Sequence, residues 1–204
     1  MRLLKIAVLV SGNGSNLESI LDNIKSGYLN CSIELVISDK AGAHGLQRAE
    51  AKGIKTHIFD KKLFGENVSD EILKVVKGRV DLIVLAGFLS VLSSEFVKIF
   101  KNRIINIHPS LIPSFCGNGM YGIKVHEMVI QYGVKFSGCT VHFVDEGTDT
   151  GPIILQKIVP VHYDDNPEKL QARVLEKEHE ALNEALKLII DEKVIVHGRK
   201  VEIL

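Results

Sequence analysis

Lys5-Ile6-Ala7-Val8-Leu9-Val10-Ser11-Gly12-Asn13-Gly14-Ser15-Asn16-Leu17 opens with an apolar run of strand length. It then turns through small polar residues and enters a stretch, Asn16 to Ser26, whose apolar positions recur with helical period. Strand, tight loop and helix in that order make a βα unit. Further runs of strand length, at Ile33 to Ile37, Lys55 to Phe59, Asp81 to Ala86 and Arg103 to Ile107, alternate with helical stretches such as Asp70 to Lys77. A run that is apolar at nearly every position has no side for water, so it belongs in a parallel sheet covered on both faces. The expected fold is therefore α/β: a Rossmann-like, mostly parallel twisted sheet with helices on both faces. Ligands of such sheets gather at the carboxyl ends of the strands.

Past residue 108 the pattern changes. Pro109 to Gly122 is rich in Pro, Gly and Ser; a helix is expected from Ile123 to Tyr132, then two strand-like runs around Val134 to Val144 and Pro152 to Val161. A long helix should follow from Pro167 to about Ile190, and Lys193 to Leu204 alternates around His197-Gly198 as a hairpin does. The expected organisation is one domain over residues 1–192, with a mixed C-terminal part: a βα half at 1–108, a half at 109–192 holding a loop, strands and the long helix, and a terminal hairpin at 193–204. With 46% hydrophobic residues in 204, the chain can bury such a core.

Charge and cysteine content narrow the function classes. Lys plus Arg and Asp plus Glu number 25 each, so no general basic field exists to hold a nucleic acid, and any anion must be gripped locally. Cys31, Cys116 and Cys139 are odd in number and widely spaced, which fits a reducing cytoplasm and neither a disulfide framework nor a structural metal site. The N-terminus has a basic start, but its apolar run ends at Ser11, short of a signal or membrane segment. An unexported protein with no membrane partner is expected.

Two places carry chemistry. At Ser11 to Asn16, small residues ahead of a helix let backbone N–H groups approach an anion, where the helix dipole favours negative charge. A tight turn with Ser15 or Asn16 capping the helix fits the same residues. A dinucleotide fingerprint fits less well, because Leu17 stands where its third glycine belongs, although Asp39 could imitate the ribose-binding acid of a nicotinamide-dependent dehydrogenase. At Arg103 to Pro109, Asn106 and His108 are two apart on a strand and so share a face. Taken singly they read as a turn-forming amide and a core histidine; at the carboxyl end of a parallel strand they read as site residues. The strand-like Gly138 to Val144 runs into an acidic turn, Asp145-Glu146-Gly147-Thr148-Asp149-Thr150-Gly151-Pro152. A carboxylate from that turn beside His108 would favour the imidazolium and poise a general acid near neutral pH. A solvated acidic loop is the plain alternative.

In combination, four segments closely resemble the glycinamide ribonucleotide formyltransferase family over about residues 4–190. They are Gly12-Asn13-Gly14-Ser15-Asn16, Leu85-Ala86-Gly87-Phe88, Asn106-Ile107-His108-Pro109-Ser110-Leu111-Ile112-Pro113, and Val141 through Pro152. The resemblance implies a formyltransferase fold and a step of de novo purine synthesis: transfer of a formyl group from 10-formyltetrahydrofolate, a cosubstrate, to the amine of glycinamide ribonucleotide, with no metal. It makes Asn106, His108 and Asp149 the catalytic group, with Asp149 raising the pKa of His108. It assigns the substrate to Gly14, Ser15 and Asn16, and to Glu178 in Arg173-Val174-Leu175-Glu176-Lys177-Glu178-His179, which alone would be an ordinary helix-surface charge. The folate would lie against Leu89, Ser90, Val91 and Leu92, Asn106, and the segment Asp145, Glu146, Gly147, Thr148 and Asp149.

The chain also departs from the family pattern. Leu89-Ser90 stands where a Met-Arg is common, and Thr148 replaces an aliphatic residue. Ser114 to Gly122 contains three glycines and reads as a lid or as a plain loop. Lys61 and Lys62 are candidates for a basic contact to the folate tail. Among related chemistries, a hydrolase of formyl folate would be expected to carry an extra N-terminal regulatory domain, and a transfer-RNA-formylating enzyme a C-terminal nucleic-acid module. A silent folate- or nucleotide-binding protein is the non-enzymatic alternative.

Overall fold

The computed structural model describes residues 3–204; the first two residues, which hold the basic start noted above, lie outside the described residues. The chain forms two compact units, Met1–Asn106 and Ile107–Leu204.

In the first unit the elements run β1 (Leu4–Val10), α1 (Ser15–Lys25), β2 (Cys31–Ser38), α2 (His44–Glu50), β3 (Thr56–Ile58), α3 (Lys61–Phe64), a 3-10 turn (Gly65–Asn67), α4 (Val68–Val76), β4 (Leu82–Leu85) and α5 (Ser94–Ile99). They lead into β5 (Ile104–His108), whose last two residues open the second unit. All pairings are parallel: β1 with β2 and β4, β2 with β3, and β4 with β5. β1 is thus central, and Ile6 to Val10 are fully buried, as a run without a polar face requires. From β1 the chain builds outward through β2 to β3, then returns to the other side of β1 with β4. That reversal is a topological switch point, and it opens a crevice at the carboxyl ends of β1 and β4. The loops there are residues 11–14 and 86–93.

The second unit holds α6 (Ile123–Tyr132), the antiparallel pair β6 (Phe136–Phe143) and β7 (Ile153–Pro160), α7 (Pro167–Ile190), and the hairpin of β8 (Val194–His197) and β9 (Lys200–Ile203). α7 starts where Asn166 accepts a hydrogen bond from Lys169 N at 2.8 Å, with Pro167 in the first turn. Its buried residues Leu170, Val174, Ala181, Leu182, Ala185, Leu186 and Ile190 form one apolar stripe, packed on β6, β7 and α6. The β6–β7 register shifts between Val141 and His142, just before the acidic turn. There Gly151 allows a backbone crossing: a Cβ at that position would sit 1.8 Å from the Phe143 carbonyl oxygen. Among the described residues no helix is long and apolar enough to cross a membrane.

Candidate active site

In the first unit the loop expected to hold an anion, here called the anion loop, is shaped by α2. Gly14 has φ 75° and caps α1; no side chain caps the helix, so the cap role open to Ser15 or Asn16 falls to a glycine in the left-handed conformation. Gly14 is also where helix and loop touch, since a Cβ there would stand 2.6 Å from the Cα of Gly45. Gly45 N donates to Gly12 O at 3.1 Å, and Arg48, on the same helix, donates through Nε to Asn13 O at 2.9 Å. Arg48 also meets the Asn13 side chain at 3.2 Å and is ion-paired with Glu18. Ser15 is half-buried at the start of α1, while Asn16 is buried.

The second loop at the switch point carries Leu89, Ser90, Val91 and Leu92. Ser11 binds it twice: Ser11 N donates to Gly87 O at 3.0 Å, and Leu89 N donates to Ser11 Oγ at 2.8 Å. The anion loop and the residue 89–92 segment are therefore one bonded structure. Leu89 and Val91 are exposed, Leu92 is buried and Ser90 is half-buried. Asp39, considered above as a ribose-binding acid, is buried at the end of β2 and accepts from Ser90 Oγ at 2.7 Å, a position that weakens the dinucleotide alternative. Lys61 and Lys62 are exposed on α3, and Lys61 N donates to Asp39 O at 3.0 Å.

Asn106 and His108 occupy alternate positions on β5; Asn106 is half-buried and His108 buried. The second unit brings His108 and Asp149 together, with Nδ1 and Oδ2 3.5 Å apart. Of the acids in the turn, Asp145 serves the turn itself, accepting from Gly147 N at 3.1 Å and Thr150 Oγ1 at 2.6 Å. Asp149, at φ 57°, is the one turned inward; Glu146, Gly147 and Thr148 are exposed. The segment after His108 is tied down by β6 and β7. Thr140 Oγ1 donates to Ser110 O at 2.7 Å and accepts from Ile112 N at 3.1 Å, and Gln156 Nε2 donates to Ile112 O at 3.1 Å.

The loop 114–122 reaches both members of the pair. His108 Nε2 lies 3.0 Å from Phe115 O; a carbonyl only accepts, so Nε2 carries the hydrogen. Gly117 N donates to Asp149 Oδ2 at 2.9 Å. Cys116, between them, donates to Pro113 O. Two histidines outside the expected set complete the cluster. His142 on β6 turns Nε2 toward Asp149 Oδ1 at 3.7 Å, and its Nδ1 lies 2.8 Å from Phe143 O. His126 on α6 is buried, and its Nδ1 has no hydrogen-bond partner.

These contacts set the protonation balance. Burial holds His108 below the ordinary imidazole value; Asp149 and the Phe115 carbonyl push upward and His142 downward, and the net direction is down. The expected upward push from Asp149 is present, but the desolvation cost of a buried imidazolium exceeds it. Burial alone would raise Asp149; His142, His108 and the Gly117 N–H outweigh it and hold the carboxyl below its ordinary value. His126 is lowered to about 4, by burial and then by His108. Glu178 is half-buried on α7, and its charge adds to the burial that pushes the Cys139 thiol on β6 up to about 12.

The family model described as formyl transferase matches residues 4–186. Among curated relatives, the trifunctional purine biosynthetic protein adenosine-3 of Gallus gallus is 45% identical over 91% of this chain, which spans 18% of that protein. The chloroplastic phosphoribosylglycinamide formyltransferase of Vigna unguiculata is 41% identical over 96% of this chain, which spans 64% of it. The chain thus covers less than two thirds of the length of these relatives. Among solved structures, glycinamide ribonucleotide transformylase 1 from Symbiobacterium toebii superposes with a TM-score of 0.90 at 39% identity, covering 99% of this chain and 94% of that one. A family match across nine tenths of the chain and a shared fold lead to one conclusion: this chain belongs to the formyl transferase family.

Proposed function

We propose that the protein transfers the formyl group of 10-formyltetrahydrofolate to the primary amine of glycinamide ribonucleotide, a step of purine biosynthesis. The observation that carries this reading is the buried His108–Asp149 pair, whose imidazole N–H is held by the Phe115 carbonyl, an acceptor that a substrate oxygen can replace. The substrate phosphate binds at Gly14, Ser15 and Asn16, with Glu178 contacting the ribonucleotide. The folate lies along residues 89–92, whose exposed Leu89 and Val91 suit a flat apolar ring, and against Asn106 and the backbone of residues 145–149.

In the reaction the amine nitrogen bonds to the formyl carbon, and the carbonyl oxygen takes up negative charge. His108 Nε2–H and the Asn106 amide donate to that oxygen, a contribution worth about 3 kcal/mol for one donor. The oxygen's charge and the Asp149 carboxylate both favour a proton on His108 Nδ1, against the burial that opposes it in the free protein. Collapse breaks the bond between the formyl carbon and the folate nitrogen, and the proton lost by the amine reaches that nitrogen through His108 or a water. Residues 114–122 act as the lid, leaving His108 and Asp149 as substrate enters. The protein works in the cytoplasm on small molecules.

The test is a formyl-transfer assay on the purified protein with glycinamide ribonucleotide or with water as acceptor. Formylated ribonucleotide as the main product supports the reading. Formate release at an equal rate without ribonucleotide assigns the chain to hydrolysis instead, and binding of both molecules without turnover makes it a silent relative.

A further inference from the structure

The segment joining β4 to α5 is anchored by buried Phe88 and Leu92 but presents Leu89, 42% exposed, and Val91, 79% exposed, between them. Hydrogen bonds hold that exposed stretch. Ser11 grips Gly87 and Leu89, Ser69 Oγ accepts from Ser93 N at 2.7 Å, and Asp39 Oδ2 accepts from Ser90 Oγ at 2.7 Å. Asp39 is the unusual member. It is 2% exposed, its second oxygen Oδ1 is buried with no hydrogen-bond partner, and no Lys, Arg or His is ion-paired with it among the described residues. Asp39 is itself rigid: its carbonyl accepts from Lys61 N at 3.0 Å, and the neighbouring Ser38 hydroxyl brackets Lys40 with bonds of 2.9 and 3.0 Å.

We infer that Asp39 is a positioning residue for the folate. Through Ser90 it holds residues 89–92 in the shape that the ligand meets, so that ordering of this exposed edge is complete before binding. The inference rests on the proposed placing of the folate at this edge. Its signature is a change in apparent folate affinity without a change in the chemical step, because Asp39 is buried behind Ser90 and touches no reacting atom.

Steady-state kinetics of Asp39→Ala, Ser90→Ala and Asp39→Asn test it. Asp39→Ala and Ser90→Ala are expected to raise KM for formyl folate about tenfold, as the loop's ordering cost returns to the binding step. For Asp39→Ala, kcat and the KM for the ribonucleotide should stay within about twofold of wild type, and adding Ser90→Ala to it should raise the folate KM no further, since both changes remove one bond. Asp39→Asn should restore the folate KM, since its amide oxygen still accepts from Ser90. If the alanine at 39 fails to fold, Ser90→Ala removes the same bond from the half-buried side. An unchanged folate KM in Ser90→Ala, a fall in kcat with both KM values fixed, or no rescue by asparagine overturns the inference while wild type remains active. Wild type that moves no formyl group sinks the functional reading, and this inference with it.

Discussion

At the level of single residues, the buried cluster around Asp149 makes two kinds of statement testable. Asp149 pushes the His108 pKa upward against burial, so removing its charge lets burial win by a wider margin. Asp149→Asn is expected to lower kcat about 10²- to 10³-fold, on the scale of losing one preorganised electrostatic contact. If protonated His108 is the active form, the fall in rate on the alkaline side should also move to lower pH. A pH profile of kcat with both substrates saturating checks this, and an unchanged profile removes Asp149 from the mechanism. His126 bears on stability. Its folded value of about 4 lies below the ordinary 6.5, so between these values the unfolded chain holds a proton that the folded chain lacks. Stability contributed by neutral His126 is therefore present above about pH 6.5 and is lost as pH falls toward 4, by about 3 kcal/mol at roughly 1.36 kcal/mol per unit. His126→Phe should flatten the decline in urea-unfolding free energy between pH 7 and 4.5; equal slopes in variant and wild type would show that His126 is not its source.

Among the elements, length decided what could be read from the chain. α1, α6 and α7 have 11, 10 and 24 residues, enough turns for a period to show, and the expected bounds of α6 and α7 match. α2, α3 and α5, with 7, 4 and 6 residues, are too short for periodicity to separate from loop. The cost of missing α2 was functional, because Gly45 and Arg48 shape the anion loop from that helix. Asn106, His108 and the acidic turn were visible through strand spacing and turn chemistry. Which acid points inward was carried only by family resemblance, since Asp145 and Asp149 look alike until the turn's hydrogen bonds are known. His142 was in view on a predicted strand, but a lone histidine in an apolar run reads as core, and His126 had no local signal. The contact between α2 and the loop yields its own prediction. Gly14→Ala puts a Cβ 2.6 Å from Gly45 Cα at a φ of 75°, and strain of this kind costs about 1–3 kcal/mol. A lower melting temperature should accompany a KM for the ribonucleotide raised more than that for the folate; wild-type values for both would separate Gly14 from the phosphate site.

On the scale of the molecule, the alternation of apolar runs predicted a parallel sheet, and five of the strands form one in the first unit, with β1 at its centre. The sequence could not supply strand order. That β4 returns beside β1, opening the crevice where the two loops meet, is a property of long-range pairing and leaves no local mark. The change of character past residue 108 was legible because antiparallel strands and a 24-residue helix differ in pattern from βα repeats. Balanced charge, 25 basic against 25 acidic residues, leaves no general field to hold an anion, which is why the proposed phosphate site is a local loop.

The left-handed bend at Asp149 constrains which substitutions can be tolerated there. Its φ of 57° falls in a basin that glycine enters freely and that asparagine and aspartate enter more readily than other side chains. Glutamate, the nearest relative by charge, is a poor guest in that basin, whereas asparagine forfeits the charge and keeps the shape. Drift at this position is thus channelled toward glycine and asparagine, and under the proposed mechanism either one takes the charge from beside His108 while leaving the turn in place.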